Sequence, residues 1–82
     1  MPVFVLEVID WDDGYGFNII HDNHYIKFSH EISGIISWMK EKGVDLVLVQ
    51  ERHWNSENVY FSMIMGIADL DNYKTTEEVY RR

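Results

Sequence analysis

The residue types and spacings that could do chemistry fall in a few short stretches. His21-Asp22-Asn23-His24 sets two imidazoles on either side of a predicted turn. A third ligand from His30, His53 or a carboxylate would be needed to complete a metal site there. Asp10, Asp12 and Asp13 group as acids for a divalent cation or a general-base pair. Their spacing is not that of a calcium loop, and the closing glutamate is missing. Glu51-Arg52-His53-Trp54 places acid, base and aromatic side by side. In a strand, Glu51 and His53 point the same way, within reach of a hydrogen bond. The stretch WDDGYGF (residues 11–17) carries Gly14 and Gly16 but lacks the lysine and following helix of a phosphate cradle.

Each stretch also has a plainer explanation. The histidine pair reads as a polar hairpin tip, the aspartates as solvated turn acids, and the Glu51–His53 stretch as a surface hairpin. No serine or cysteine nucleophile stands beside it in an identifiable motif. The expectation is a protein that is not an enzyme, with no catalytic residue, metal or cofactor. Met39, Met63 and Met65 read as core filler.

Composition narrows the class. Length points to one domain of 82 residues, with residues 67–82 as a C-terminal extension. An apolar fraction of 46% with 15% aromatic is well above that of disordered chains. Without cysteine there is neither a disulfide nor a thiolate zinc site, which fits the cytosol. Met1-Pro2-Val3 has no basic signal region, and no apolar run approaches the roughly 18 residues of a membrane span. A soluble cytoplasmic protein is expected. Seven basic residues against fourteen acidic ones give a net charge of −7. That balance disfavours nucleic acid, whose binders neutralise phosphates, and favours a partner with a basic surface.

These residues are positioned by a simple run of elements. Val3–Ile9, Phe17–Ile20 and His24–Phe28 read as strands, with Asp13-Gly14 and Asp22-Asn23 as tight turns. A helix over about residues 30–42 follows, capped by Ser29, with Ile32, Ile35, Ile36 and Met39 on one face and Gly43 to end it. Gly34 inside it marks a close backbone approach. Val44–Gln50 and Val59–Met65 form a last hairpin. Ile67, Leu70 and Tyr73 could stripe a short helix, and Thr75 with Glu78 resembles a capping box or belongs to a polar tail. The fold class is therefore mainly β with one central helix, in β-β-β-α-β-β order. It is either an OB-like five-stranded barrel or an open antiparallel sheet with the helix packed on it.

Gly14-Tyr15-Gly16-Phe17 and Tyr25-Ile26-Lys27-Phe28-Ser29, preceded by Trp11, resemble the two strand motifs of the cold-shock (OB-fold) domain over residues 11–30. The resemblance implies a single-stranded nucleic-acid face of Tyr15, Phe17, Tyr25 and Phe28, with Lys27 where that family has histidine. Asp13 stands where the family has a basic residue, and Asn18 where it has isoleucine.

The register at Asp22-Asn23 separates the two uses of these rings. A two-residue turn pairs Phe17 with Phe28 and Ile19 with Ile26, making all four core. A three-residue turn instead groups Phe17, Ile19, Tyr25 and Lys27 as a platform. Hydrophobic burial favours the first. The outer face then carries Val3, Val5, Ile9, Trp11, Ile20 and Tyr25, too apolar for water. The C-terminal segment, a second copy or a partner must cover it. The leading expectation is a small acidic interaction protein that binds, and inhibits or regulates, a basic macromolecular partner through Trp11, Asp12, Asp13, Tyr15 and Tyr25. Its size and charge are similar to those of small acidic inhibitors of nucleic-acid-acting proteins, including phage-encoded ones. A homodimer is also open, and the cold-shock-type binder is the alternative.

Overall fold

The computed structural model describes residues 3–80, with the backbone alone for Glu77 and Tyr80. Met1, Pro2 and the end of the predicted extension, Arg81 and Arg82, lie outside the described residues. Seven residues, Val5–Trp11, form β1, the centre of a five-stranded sheet. β2 (Gly14–His21) and β3 (His24–Ser29) lie on one side of it, and β4 (Leu46–His53) and β5 (Val59–Gly66) on the other. The predicted β-β-β-α-β-β order holds through β5.

Of the two expected architectures the open sheet is the one found, with corrections to the barrel, the strand pairing and the helix count. The strand order β3-β2-β1-β4-β5 leaves β3 and β5 as edges, so the sheet is open and no OB-like barrel closes. The sheet is mixed, because β1 pairs antiparallel with β2 but parallel with β4. Parallel neighbours need a long crossover, and α1 (Ile32–Lys42) supplies it by carrying the chain from β3 over one face to β4. Finally, α2 (Ile67–Leu70) and α3 (Thr76–Tyr80) join the expected central helix. No helix among the described residues is long and apolar enough to cross a membrane, an observation that does not address spans made of strands.

The helix follows its sequence signals except at its start. Ser29 is not its cap. The Ser29 hydroxyl accepts the Glu31 N–H at 3.0 Å and donates to the Glu31 carbonyl at 2.7 Å, so Glu31 takes the capping position without a side-chain bond. A Cβ on Gly34 would sit 2.6 Å from that same hydroxyl, which is the close approach glycine permits. At the other end Gly43 adopts φ 71°, and the Val44 and Gly43 N–H groups reach back to the carbonyls of Met39 and Lys40. This is the paired arrangement that ends helices on a left-handed glycine.

α1 buries Ile35, Ile36 and Met39 against Leu6 and Val8 of β1, Phe17 and Ile19 of β2, and Val47 and Val49 of β4. Leu70 of α2 completes this layer.

The first hairpin turns through Asp12-Asp13 rather than Asp13-Gly14, because Trp11 pairs with Gly14. The second turns through Asp22 (φ 51°) and Asn23 (φ 65°), with His21 opposite His24 and Ile20 opposite Tyr25. That is the two-residue turn expected, and Phe17 is buried as that register requires. Beyond Tyr25, however, a bulge at Ile26 shifts the pairing by one, so Asn18 faces Phe28 and Phe17 faces Ser29. A one-residue bulge moves every later side chain to the other face. Phe28 therefore leaves the core and stands 48% exposed.

Candidate functional site: the uncovered sheet face

Strand alternation places Glu7, Ile9 and Trp11 of β1 on the face away from α1, with Gly16 and Asn18 of β2 beside them. Tyr25 and Phe28 of β3 and Gln50 and Arg52 of β4 share that face. Both C-terminal helices lie on the other side. Leu70 packs into the α1 layer, while the Tyr73 hydroxyl and the Thr76 N–H donate to Glu51, which is fully buried there. The predicted Thr75–Glu78 pair forms reciprocally, each backbone N–H donating to the other's side chain at 3.1 and 3.2 Å. The described part of the C-terminal segment is thus not the cover of the outer face, where Glu7 and Ile9 are buried among their neighbours while Trp11, Tyr25 and Phe28 stay exposed.

Across this face runs a line of rings. Trp11 and Trp54 stack with centroids 5.6 Å apart and planes 9° from parallel, and both are almost half exposed. The pairing of Asp10 with His53 in the parallel ladder brings these two next residues together. The Trp54 N–H donates to the Asp10 carbonyl at 3.1 Å to hold the end in place. Beyond Trp11 the line continues over Gly16 to Phe28. A Cβ on Gly16 would lie 3.1 Å from both Trp11 Nε1 and Phe28 Cε1. Gly16 is the floor on which two rings rest. Phe28 in turn meets His30 edge-on at 4.7 Å.

Beside the rings lies a polar knot centred on Glu7. Its carboxylate accepts from Arg52 Nε at 3.1 Å, the Tyr25 hydroxyl at 3.2 Å and Asn18 Nδ2 at 3.3 Å. Burial works against the Arg52 charge, but the hydrogen bond and charge of Glu7 outweigh it and raise the guanidinium pKa overall. Arg52 Nη1 also donates to the carbonyls of His53 and Ser56, both at 3.1 Å, and so fixes the β4–β5 turn. Among the described residues Arg52 is the one cationic strand residue on this face, and Glu7 already neutralises it. A groove of about 580 Å³ opens here, lined by Glu7, Tyr25, Arg52, Trp54, Ser56 and Glu57 among others. Asp12, Asp13 and Glu57 stand exposed at the rim.

Of the residues expected to bind a partner, Trp11, Asp12, Asp13 and Tyr25 belong to this face and its rim. Tyr15 does not. It points to the α1 side, where its hydroxyl accepts from Thr75 at 2.9 Å, and it lines a side groove together with Trp11, Asp13, His30 and Glu31. The nucleic-acid set divides likewise. Tyr25 and Phe28 are on the open face, while Tyr15, buried Phe17 and Lys27 face the other way. Trp54, read from sequence as part of a surface hairpin, is the residue sequence reasoning missed. Its available signal was the parallel between Ile9-Asp10-Trp11 and Arg52-His53-Trp54, two strand ends with tryptophan after a polar residue.

The other chemical candidates have the following partners. His53 Nδ1 pairs with Asp10 Oδ2 at 3.3 Å and not with Glu51, although both sit on the α1 side. Tyr60, 5.2 Å from the His53 ring, has its phenol pushed up to about 12 by burial and by the charges of Glu51 and Asp10. Burial, together with the Glu51 bond and charge, raises that of Tyr73 further. Phenols held so firmly protonated are poor bases at neutral pH. His21 stacks on Phe4 at 4.0 Å, and His24 Nδ1 bonds the Asp22 carbonyl at 2.7 Å. No group of three His, Cys, Asp or Glu among the described residues is placed to hold a metal. The chain matches no family model, no curated protein and no solved structure.

Proposed function

We propose that this chain is a small acidic, non-enzymatic interaction protein that binds, and thereby inhibits or regulates, a macromolecule with a basic surface through the open sheet face. The observation that carries this reading is the uncovered line of Trp54, Trp11 and Phe28 with acids at its rim. Tryptophan and tyrosine supply large, rigid contact area and dominate interface hot spots. The rim carboxylates steer towards positive charge. Arg52 offers no competing field, because Glu7 holds it. The nucleic-acid channel of a nuclease or polymerase is the kind of basic surface that fits, as for small inhibitors of that class.

A second reading, a single-strand nucleic-acid binder, draws on the same exposed rings, since bases stack on such surfaces. It would use Trp11, Trp54, Tyr25 and Phe28, not Tyr15 or Phe17. One pair of measurements separates the two. A labelled single-stranded oligonucleotide is expected not to bind at micromolar levels near physiological salt. Capture of basic proteins from lysate is expected to weaken as salt rises and to fall about 30-fold in Trp11→Ala, the loss of one hot spot of about 2 kcal/mol. Micromolar oligonucleotide binding that Trp11→Ala abolishes would replace the first reading with the second.

A further inference from the structure

The two edges of the sheet are built differently. β3 is short, carries Lys27 and His24, and is broken by the Ile26 bulge. These are the devices that keep an edge from pairing with another chain. β5, the opposite edge, has the sequence VYFSMIMG, eight residues without a charge or a proline. Its ladder with β4 is regular from Phe61 to Gly66, with the shift confined to the Tyr60 end. Val59, Tyr60, Met63 and Ile64 are each at least 41% exposed, and no strand among the described residues pairs with its outer side.

We infer that β5 is a self-association edge, which pairs antiparallel with β5 of a second copy to continue the sheet. Three observations favour a second copy over another occupant. The outward N–H and C=O groups need a strand, and antiparallel pairing of a strand with itself satisfies both chains through one two-fold axis. An uncharged strand meets its own copy without like charges opposed, although each chain carries −7. A basic partner, by contrast, finds no acid on this strand to recognise. The axis stands perpendicular to the sheet, so both open faces lie on the same side. A dimer then presents two lines of rings to a partner and binds it bivalently. The contact is narrow, so the association is concentration-dependent and at the weak end for stable interfaces.

Sedimentation of the full chain over a concentration series tests this. A monomer–dimer equilibrium is expected, strengthened by added salt because screening relieves the repulsion between two acidic chains. Ile64→Lys and Met63→Lys lie on opposite faces of the same edge. Each should weaken dimerisation at least tenfold while leaving the thermal unfolding midpoint near that of the wild type. Three results would overturn the inference: a wild-type monomer at several hundred micromolar, a dimer unaffected by Met63→Lys, or one lost in Trp11→Ala instead. The last two would place any dimer on the open face. If either lysine variant unfolds, hydrogen exchange of the wild type decides instead. The outward β5 amides should gain protection with rising concentration, and unchanged exchange would refute the pairing.

Discussion

Replacing Tyr73 by phenylalanine and Glu51 by glutamine, singly and together, probes what holds the C-terminal segment away from the open face. Glu51 is fully buried on β4 and accepts from the Tyr73 hydroxyl and, at 2.9 Å, from the Thr76 N–H. Hydrogen bonds to a charged group are worth about 1.5–3 kcal/mol each, and a buried charge that loses a donor is penalised further. Tyr73→Phe keeps the ring and removes one donor, which should cost about 2 kcal/mol. For a domain of this size that lowers the melting temperature by about 8–16 °C. Glu51→Gln can still accept from Thr76 through its amide oxygen but loses the charge, at about 1–2 kcal/mol. The double variant should fall short of the sum by about 1 kcal/mol, since both weaken the same contact. Urea and thermal denaturation followed by circular dichroism supply the energies, and exchange at the Thr76 amide shows whether α3 loosens. Additive losses would show that the two side chains do not act together. A Glu51→Gln variant more stable than wild type would mean that desolvation of the carboxylate outweighs its bonds. Either result refutes the account of this contact.

The bulge at Ile26 predicts opposite outcomes for two phenylalanines of the same hairpin. Phe17→Ala should cost about 3–5 kcal/mol as a core deletion, and Phe28→Ala under about 1.5, measured by urea denaturation. Gly34→Ala should fail to deliver the roughly 1 kcal/mol that alanine normally adds in a helix. In a Ser29→Ala background, where the hydroxyl at 2.6 Å is gone, much of that gain should return. Stability should also fall above about pH 10, the ordinary phenol value. The folded state holds the Tyr60 proton up to about 12 and that of Tyr73 longer. Their contribution is therefore complete below pH 10; that of Tyr60 is lost as pH rises towards 12, and that of Tyr73 is still declining there. Unfolding curves across that range should be flatter in Tyr60→Phe, and an unchanged slope would deny the raised phenol.

Much of this was legible where the cause is local. The helical spacing of Ile32, Ile35, Ile36 and Met39, the glycine stop and the Asp22-Asn23 turn depend on neighbours in the chain, and the structure follows them. Phe17 could be assigned to the core because burying it with Ile19 favours the two-residue turn over the register that would expose both. What escaped was decided at a distance or by a single residue. Nothing in the alternation of β1 states which strand lies beside it, so the parallel pairing with β4 was invisible. With it went the Trp11–Trp54 stack and the match of Glu7 with Arg52. The Ile26 bulge reverses the face of Phe28, although the turn before it was read correctly. Tyr15 was grouped with Trp11 by proximity in sequence, but the pleat sends neighbours to opposite sides, and Thr75, 60 residues away, takes its hydroxyl. In WDDGYGF, Gly16 proved informative for packing, since a side chain there would meet the rings of Trp11 and Phe28.

The central claim is that the open face meets a basic macromolecule. Site-specific photo-crosslinking tests it most directly, with benzoylphenylalanine in place of exposed Tyr25 and, as control, of Lys40 on the far side of α1. The account predicts adducts with a basic protein from the Tyr25 position, lost when Trp11→Ala is added, and none from Lys40. Adducts from Lys40 alone, or nucleic acid in place of protein at Tyr25, would contradict it.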